Sequence, residues 1–195
     1  MTPPGPVTRD LLRTLDEVRS RTLVRLDGLT DTEYLWEPVT PCLTIREDAD
    51  GGFRADRPSP DDSRPAPFTT IAWRMWHIGA DCLRGYGRFF GDEPPAETRY
   101  TWPGTAAEGI GALDRECARF RARVEALGDE GLQRPMGPQA GPYAEATYLL
   151  LVLHALDEAA HHGAELGVLR DLRLHGFAAG PKHGIGEAAA GRDAG

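Results

Sequence analysis

Proline decides where this chain can be helical. Four stretches with apolar residues three or four positions apart contain no proline at all, and the segments between them are crowded with proline and glycine. Proline inside a helix removes a hydrogen bond and clashes with the preceding turn, so these boundaries are physical limits. The first stretch, Val7 to Leu29, carries Leu11, Leu12, Leu15, Val18, Leu23, Leu26 and Leu29. The second starts at Thr69 or Thr70, either able to cap a helix, and runs through Ile71, Trp73, Met75, Trp76, His77, Ile78, Cys82, Leu83, Tyr86 and Phe89 to Gly91. The third, Thr105 to Leu127, uses Ile110, Leu113, Cys117, Phe120, Val124 and Leu127, and the fourth spans Ala144 to His175. With no strand-like alternation of any length and no internal repeat, the pattern predicts an all-α protein, a four-helix bundle.

The connections carry smaller signals. Thr30 and Glu33 have capping-box spacing, which predicts a short helical turn toward Trp36 before Pro38. Residues 38–67 are rich in Pro, Gly and Asp; only Cys42 to Arg46 and the turn Asp50-Gly51-Gly52 hint at a small hairpin. A connection this long is a candidate wall for a pocket, with disorder as the alternative. Pro94, Pro95 and Pro103 predict a second loop, and Arg134 to Pro142 a third.

At 195 residues and 41% apolar content the chain suits one domain, placed at 1–175, followed by a Gly/Ala-rich tail, 176–195, expected to be disordered. The net charge of −8, without a basic cluster, argues against a nucleic-acid partner. No signal-peptide pattern and no apolar run of about 20 residues is present, which predicts a soluble, cytoplasmic protein with no membrane contact. Cys42, Cys82 and Cys117 are odd in number and lack C-x-x-C spacing, so reduced, buried thiols are expected. Spacing along a regular helix puts no histidine beside any of them.

The fourth stretch holds the chemistry. At 100° per residue, His154, Glu158 and His161 fall within about 60° of one another, and adding His162 widens the fan to about 100°. Leu150, Leu151, Val168, Leu169 and Leu172 lie above and below, so the belt is expected on an inward-looking face. Burying a carboxylate among imidazoles costs several kcal/mol unless hydrogen bonds, ion pairs or a metal ion meet them. Glu158 with His162, four apart, or with His161, three apart, could reach one ion. His77 is the one histidine in another helical stretch and supplies a third donor, leaving positions open as in catalytic metal sites. A buried hydrogen-bond network is the alternative. A ferritin-like di-metal site also matches Glu158-Ala-Ala-His161, but no second E-x-x-H exists on another stretch. Trp73, Trp76, Tyr86 and Trp102 line either an apolar pocket or plain core.

The run from Phe68 through Trp73, Trp76 and His77 to Ile78, together with His154 through Glu158, His162 and Gly163 to Leu172, resembles the DinB/YfiT-like superfamily of metal-dependent four-helix bundles. Trp36-Glu37-Pro38 fits as well, and the resemblance spans roughly Thr8 to His175. It implies an up-down-down-up bundle, often a homodimer, with zinc or nickel held by His77, Glu158 and His162. His154 and His161 would then stand behind the ligands as catalytic proton movers. Glutamate at position 158 is similar to the mycothiol-dependent maleylpyruvate isomerase branch; that branch carries a second, C-terminal domain, whereas a short Gly/Ala tail is expected here after the fourth stretch. The implied chemistry is activation of a low-molecular-weight thiol, mycothiol or its like, for S-transfer to a small electrophile or for isomerisation; an Ala/Gly/Arg-rich composition suits a mycothiol-using, high-GC source. The competing expectation is a non-catalytic metal-binding or structural dimeric bundle.

Overall fold

A computed structural model of the protein describes residues 3–58, 67–91 and 100–176. The expected tail beyond Gly176 and the Pro94-Pro95 loop lie outside the described residues. The described chain is mostly helical. Helix α1, Pro6–Leu26, is followed by the short α2, Asp31–Tyr34. Strands β1, Cys42–Leu43, β2, Ile45–Glu47, β3, Phe53–Ala55, and β4, Phe68–Thr69, precede helix α3, Ile71–Trp76. Helix α4 is Ala106–Leu132 and α5 is Tyr148–Leu174.

Helix α1 begins on Gly5, which has no side chain to cap it. Asp129, far along α4, does so instead: its carboxylate accepts from the Val7 and Thr8 amides at 3.2 and 2.8 Å and from the Thr8 hydroxyl at 2.6 Å. Helix α1 packs on α4 and α5. Its contact with α5 is close at Gly163, where a Cβ would lie 2.7 Å from the Thr22 hydroxyl. The capping box at Thr30 and Glu33 forms as its spacing predicts, and it starts α2.

The long connection is ordered where it is described. Strands β2 and β3 pair antiparallel around the Asp48–Gly52 turn, the small hairpin hinted at by the sequence, and β1 pairs parallel with β4. This lattice fixes the start of α3. Thr70 accepts from the Trp73 amide at 3.2 Å and its hydroxyl lies 3.0 Å from that of Thr44, while the Trp73 indole donates to the Asp56 carbonyl at 2.9 Å.

The second helical stretch is not one regular helix. After α3, the backbone winds as a π-helix over His77–Arg84 and tightens into 3₁₀ turns over Gly85–Phe90. Gly79 sits inside the π segment because Trp102 packs there, only 2.5 Å from where a Cβ would be. Two further boundaries differ from expectation. Helix α4 continues past Leu127 to Leu132 through a break at Gly128, and α5 starts at Tyr148 because Thr147 caps it, with residues 138–143 forming a separate 3₁₀ turn.

The core is shared by Trp76, Tyr34, Phe120, Leu26, Ile71, Met75, Leu113 and Leu166, among others. Trp73, Trp76 and Trp102 belong to it, whereas Tyr86 is only partly buried. The inward face of α5 is only partly the one expected: Leu151 and Leu169 are buried but Leu150 and Val168 are exposed, and the buried stripe also takes in Val152, Ala155, Ala159, Gly163 and Leu166. Small residues set that face because α1 approaches so closely, and leucines spread around the helix hid it from periodicity.

Candidate metal centre

The π segment and α5 bring His77, Glu158 and His162 together. Nε2 of His77 lies 3.1 Å from Glu158 Oε2, and Nε2 of His162 lies 3.2 Å from the same oxygen. One donor atom from each of the three residues falls within 4.8 Å of the others, a grouping able to hold a metal ion. Their side chains are about one-fifth exposed, so the cluster lies just beneath the surface.

The opposite edge of each imidazole is also held by a carboxylate. His77 Nδ1 lies 3.2 Å from Asp81 Oδ2, and His162 Nδ1 lies 2.7 Å from Glu165 Oε2. Arg74 anchors Glu165 in turn at 2.7 Å, and the Trp73 indole stacks on the His77 ring with centroids 5.5 Å apart. Carboxylates on Nδ1 fix the tautomer that carries its proton there and turns the Nε2 lone pair toward the centre. Spacing carried a signal for both partners, since Asp81 is four residues after His77 and Glu165 three after His162.

A fourth group is present that the sequence reading placed elsewhere. The thiol of Cys82 donates to Glu158 Oε2 at 3.6 Å and lies 3.7 Å from His77 Nε2. On a regular α-helix, residues five apart point about 140° away from each other. In the π-wound segment the i to i+5 relation becomes the stacking one, so His77 and Cys82 share a face.

The electrostatics are strained around Glu158. Burial pulls its carboxyl up, but hydrogen bonding from His77 and the nearby His162, with Cys82, outweighs this and holds it below the ordinary value. Burial, helped by Arg74 and His77, pushes His162 down against the pull of Glu165, favouring the neutral ring. Burial and then the Glu158 charge push the Cys82 thiol up to about 12. A neutral imidazole bonded to Glu165 through Nδ1–H has no proton left for Glu158.

The remaining belt residues stand outside. His154 is 54% exposed, with Nε2 4.0 Å from Glu158 Oε1 and its ring 5.8 Å from that of Tyr86. His161 is 62% exposed and reaches Glu165 at 3.4 Å. The belt therefore straddles the edge of α5 instead of facing wholly inward. Each exposed histidine lines a groove. One, of about 570 Å³, is walled by Phe68, Thr69, Arg74, His161 and Glu165; the other, of about 460 Å³, by Tyr86, Arg88, Phe89, Tyr143, Leu150 and His154. Of the long connection 38–67, Pro67 lines the first groove.

Among the described residues no helix is long and apolar enough to cross a membrane. No curated protein and no solved structure matches the chain. The model of one family, the DinB superfamily, matches residues 14–166, which includes every residue of the His77, Glu158 and His162 cluster, and the chain belongs to that superfamily.

Proposed function

We propose that the chain is a metal-dependent enzyme, an up-down-down-up four-helix bundle in which His77, Glu158 and His162 hold one divalent ion, zinc or nickel. The observation that carries this reading is the orientation of the two imidazoles: both Nε2 atoms meet one carboxylate oxygen, while both Nδ1 atoms are taken by Asp81 and Glu165. Donors around a single tetrahedral ion, at about 2.0–2.3 Å from it, stand roughly 3.2–3.7 Å from one another. The 3.2 Å separation meets the near end of that range and the 3.1 Å separation falls 0.1 Å short of it. A cation at the centre supplies positive charge that a neutral His162 cannot.

When bound, such an ion acts as a Lewis acid that lowers the pKa of a coordinated thiol. The surrounding residues then position and protonate. His154, between Glu158 and the groove beside Tyr86, and His161, bonded to Glu165 in the other groove, are placed to accept the proton of an incoming low-molecular-weight thiol such as mycothiol. Tyr86, Phe89 and Leu150 give the first groove an apolar lining suited to a small electrophile. The reaction class proposed is S-transfer or isomerisation, nearest the thiol-dependent maleylpyruvate isomerase branch because Glu158 stands between two histidine ligands.

The second reading is a non-catalytic metal-binding or structural homodimer. Exposed Leu150, Leu153, Val168 and Leu174 on α5 favour it by offering apolar surface to a second copy. Incubating zinc- or nickel-loaded protein with mycothiol and other small thiols against a panel of electrophiles separates the two. Conjugate or isomer formed by wild type and reduced in His154→Ala supports the enzyme; no turnover across the panel supports the binder.

A further inference from the structure

We infer that Cys82 is a fourth protein ligand of the metal centre, closing it at rest. This rests on the reading that His77, Glu158 and His162 hold the ion, and goes beyond it by adding a sulfur donor.

The geometry carries the inference. The Cys82 sulfur lies 3.6 Å from Glu158 Oε2 and 3.7 Å from His77 Nε2. For one tetrahedral ion with sulfur at about 2.3 Å and nitrogen or oxygen at about 2.0–2.1 Å, the expected sulfur-to-donor separations are roughly 3.5–3.6 Å. The first separation matches that value and the second lies 0.1 Å beyond it, so the thiol that now hydrogen-bonds Glu158 could pass to an ion held between the same donors with little movement.

The backbone supports the same conclusion. The π-helix spans eight residues, begins at His77 and contains Cys82. Such winding is rare, and its bulges gather at functional sites. Here it has two effects on His77: it sets Asp81, four residues on, against Nδ1, and Cys82, five residues on, against Nε2. A regular helix would keep the carboxylate contact and turn the thiol away. Cys82 is buried, so its sulfur is presented to the cluster and not to solvent. Cys42, on β1, and Cys117, on α4, lie on other elements and serve as internal controls.

Four protein donors would leave a tetrahedral ion no open corner, so an incoming thiol would have to displace Cys82 before it could reach the ion. Coordination of the sulfur releases the thiol proton to solvent and forms one metal–sulfur bond, with no change in oxidation state.

The test is to titrate the full-length protein with cobalt(II) alone and record both bound metal and the absorption spectrum. Wild type is expected to bind one cobalt per chain with an intense near-ultraviolet sulfur-to-cobalt charge-transfer band. Cys82→Ser should keep the cobalt and lose that band, and Cys117→Ser should keep both. Zinc-edge X-ray absorption of the wild-type protein provides a check that needs no variant, with one sulfur expected among the scatterers. Stoichiometric cobalt without the band, or a band that survives Cys82→Ser, overturns the inference while leaving the three-residue site intact. Failure of wild type to bind cobalt or zinc at all overturns both.

Discussion

Two carboxylates buried on helices of this protein are met in opposite ways. Glu116 of α4, 7% exposed, lies 3.0 Å from the Arg84 guanidinium and 3.2 Å from that of Arg119. Glu158 of α5, 22% exposed, faces two imidazoles and a thiol. The same π segment reaches both, with His77 at its start and Arg84 at its end. Guanidinium carries its charge at any accessible pH, so the Glu116 cluster is complete as it stands. The Glu158 cluster instead has partners that carry charge only when protonated, two imidazoles, and one that carries none, the Cys82 thiol. A carboxylate with permanent partners holds a fold together, and one with conditional partners is available for chemistry.

The largest expected effect breaks that contrast from the Glu158 side. Zinc at about a thousand times its dissociation constant should stabilise wild type by about 4 kcal/mol, and Glu158→Gln should abolish that gain. Urea unfolding with and without zinc measures it; an unchanged zinc gain in the variant would refute the ligand assignment. Glu116→Ala should cost about 3 kcal/mol in metal-free protein, because it removes the buried acceptor shared by Arg84 and Arg119, and should leave metal content untouched. Loss of metal together with stability would show that the two clusters are not separate. Asp81→Asn sharpens the comparison: it keeps all ligands, yet should weaken zinc binding by about 10- to 100-fold by isothermal titration.

The smallest effects lie away from both clusters. Thr30→Ala should cost about 1 kcal/mol through the lost cap, with no change in metal affinity. Burial raises Glu33, but the Thr30 donors and Arg170 outweigh it and leave its carboxyl below the ordinary value of 4.5. A depressed carboxyl contributes stability above its unfolded value and loses it as pH falls through the folded one. The stability gap between wild type and Glu33→Gln should therefore be full above pH 4.5 and close below it, as followed by thermal melts across that range.

Much of this was legible from residue order alone. Proline placement bounded the helices, the capping box at Thr30 forms as its spacing predicts, and Thr70, one of two caps the sequence offers, starts α3. Periodicity put His154, Glu158, His161 and His162 on one fan but left two registers for the pair, and likeness to a family favoured His162. Asp81 and Glu165 stand at i+4 and i+3 from the two histidines, spacings at which a helix brings side chains together. Cys82 was not readable, because its place beside His77 depends on π winding that leaves no pattern in composition or period. The inward face of α5 was obscured for a related reason: alanine and glycine, not leucine, mark the side where α1 comes closest.

Metal content of the purified full-length chain, measured for wild type, His77→Ala, His162→Ala and His161→Ala, tests the central assignment most directly. The account predicts one zinc or nickel per chain in wild type and His161→Ala, and almost none in His77→Ala or His162→Ala. Wild-type metal content in both of those variants would contradict it.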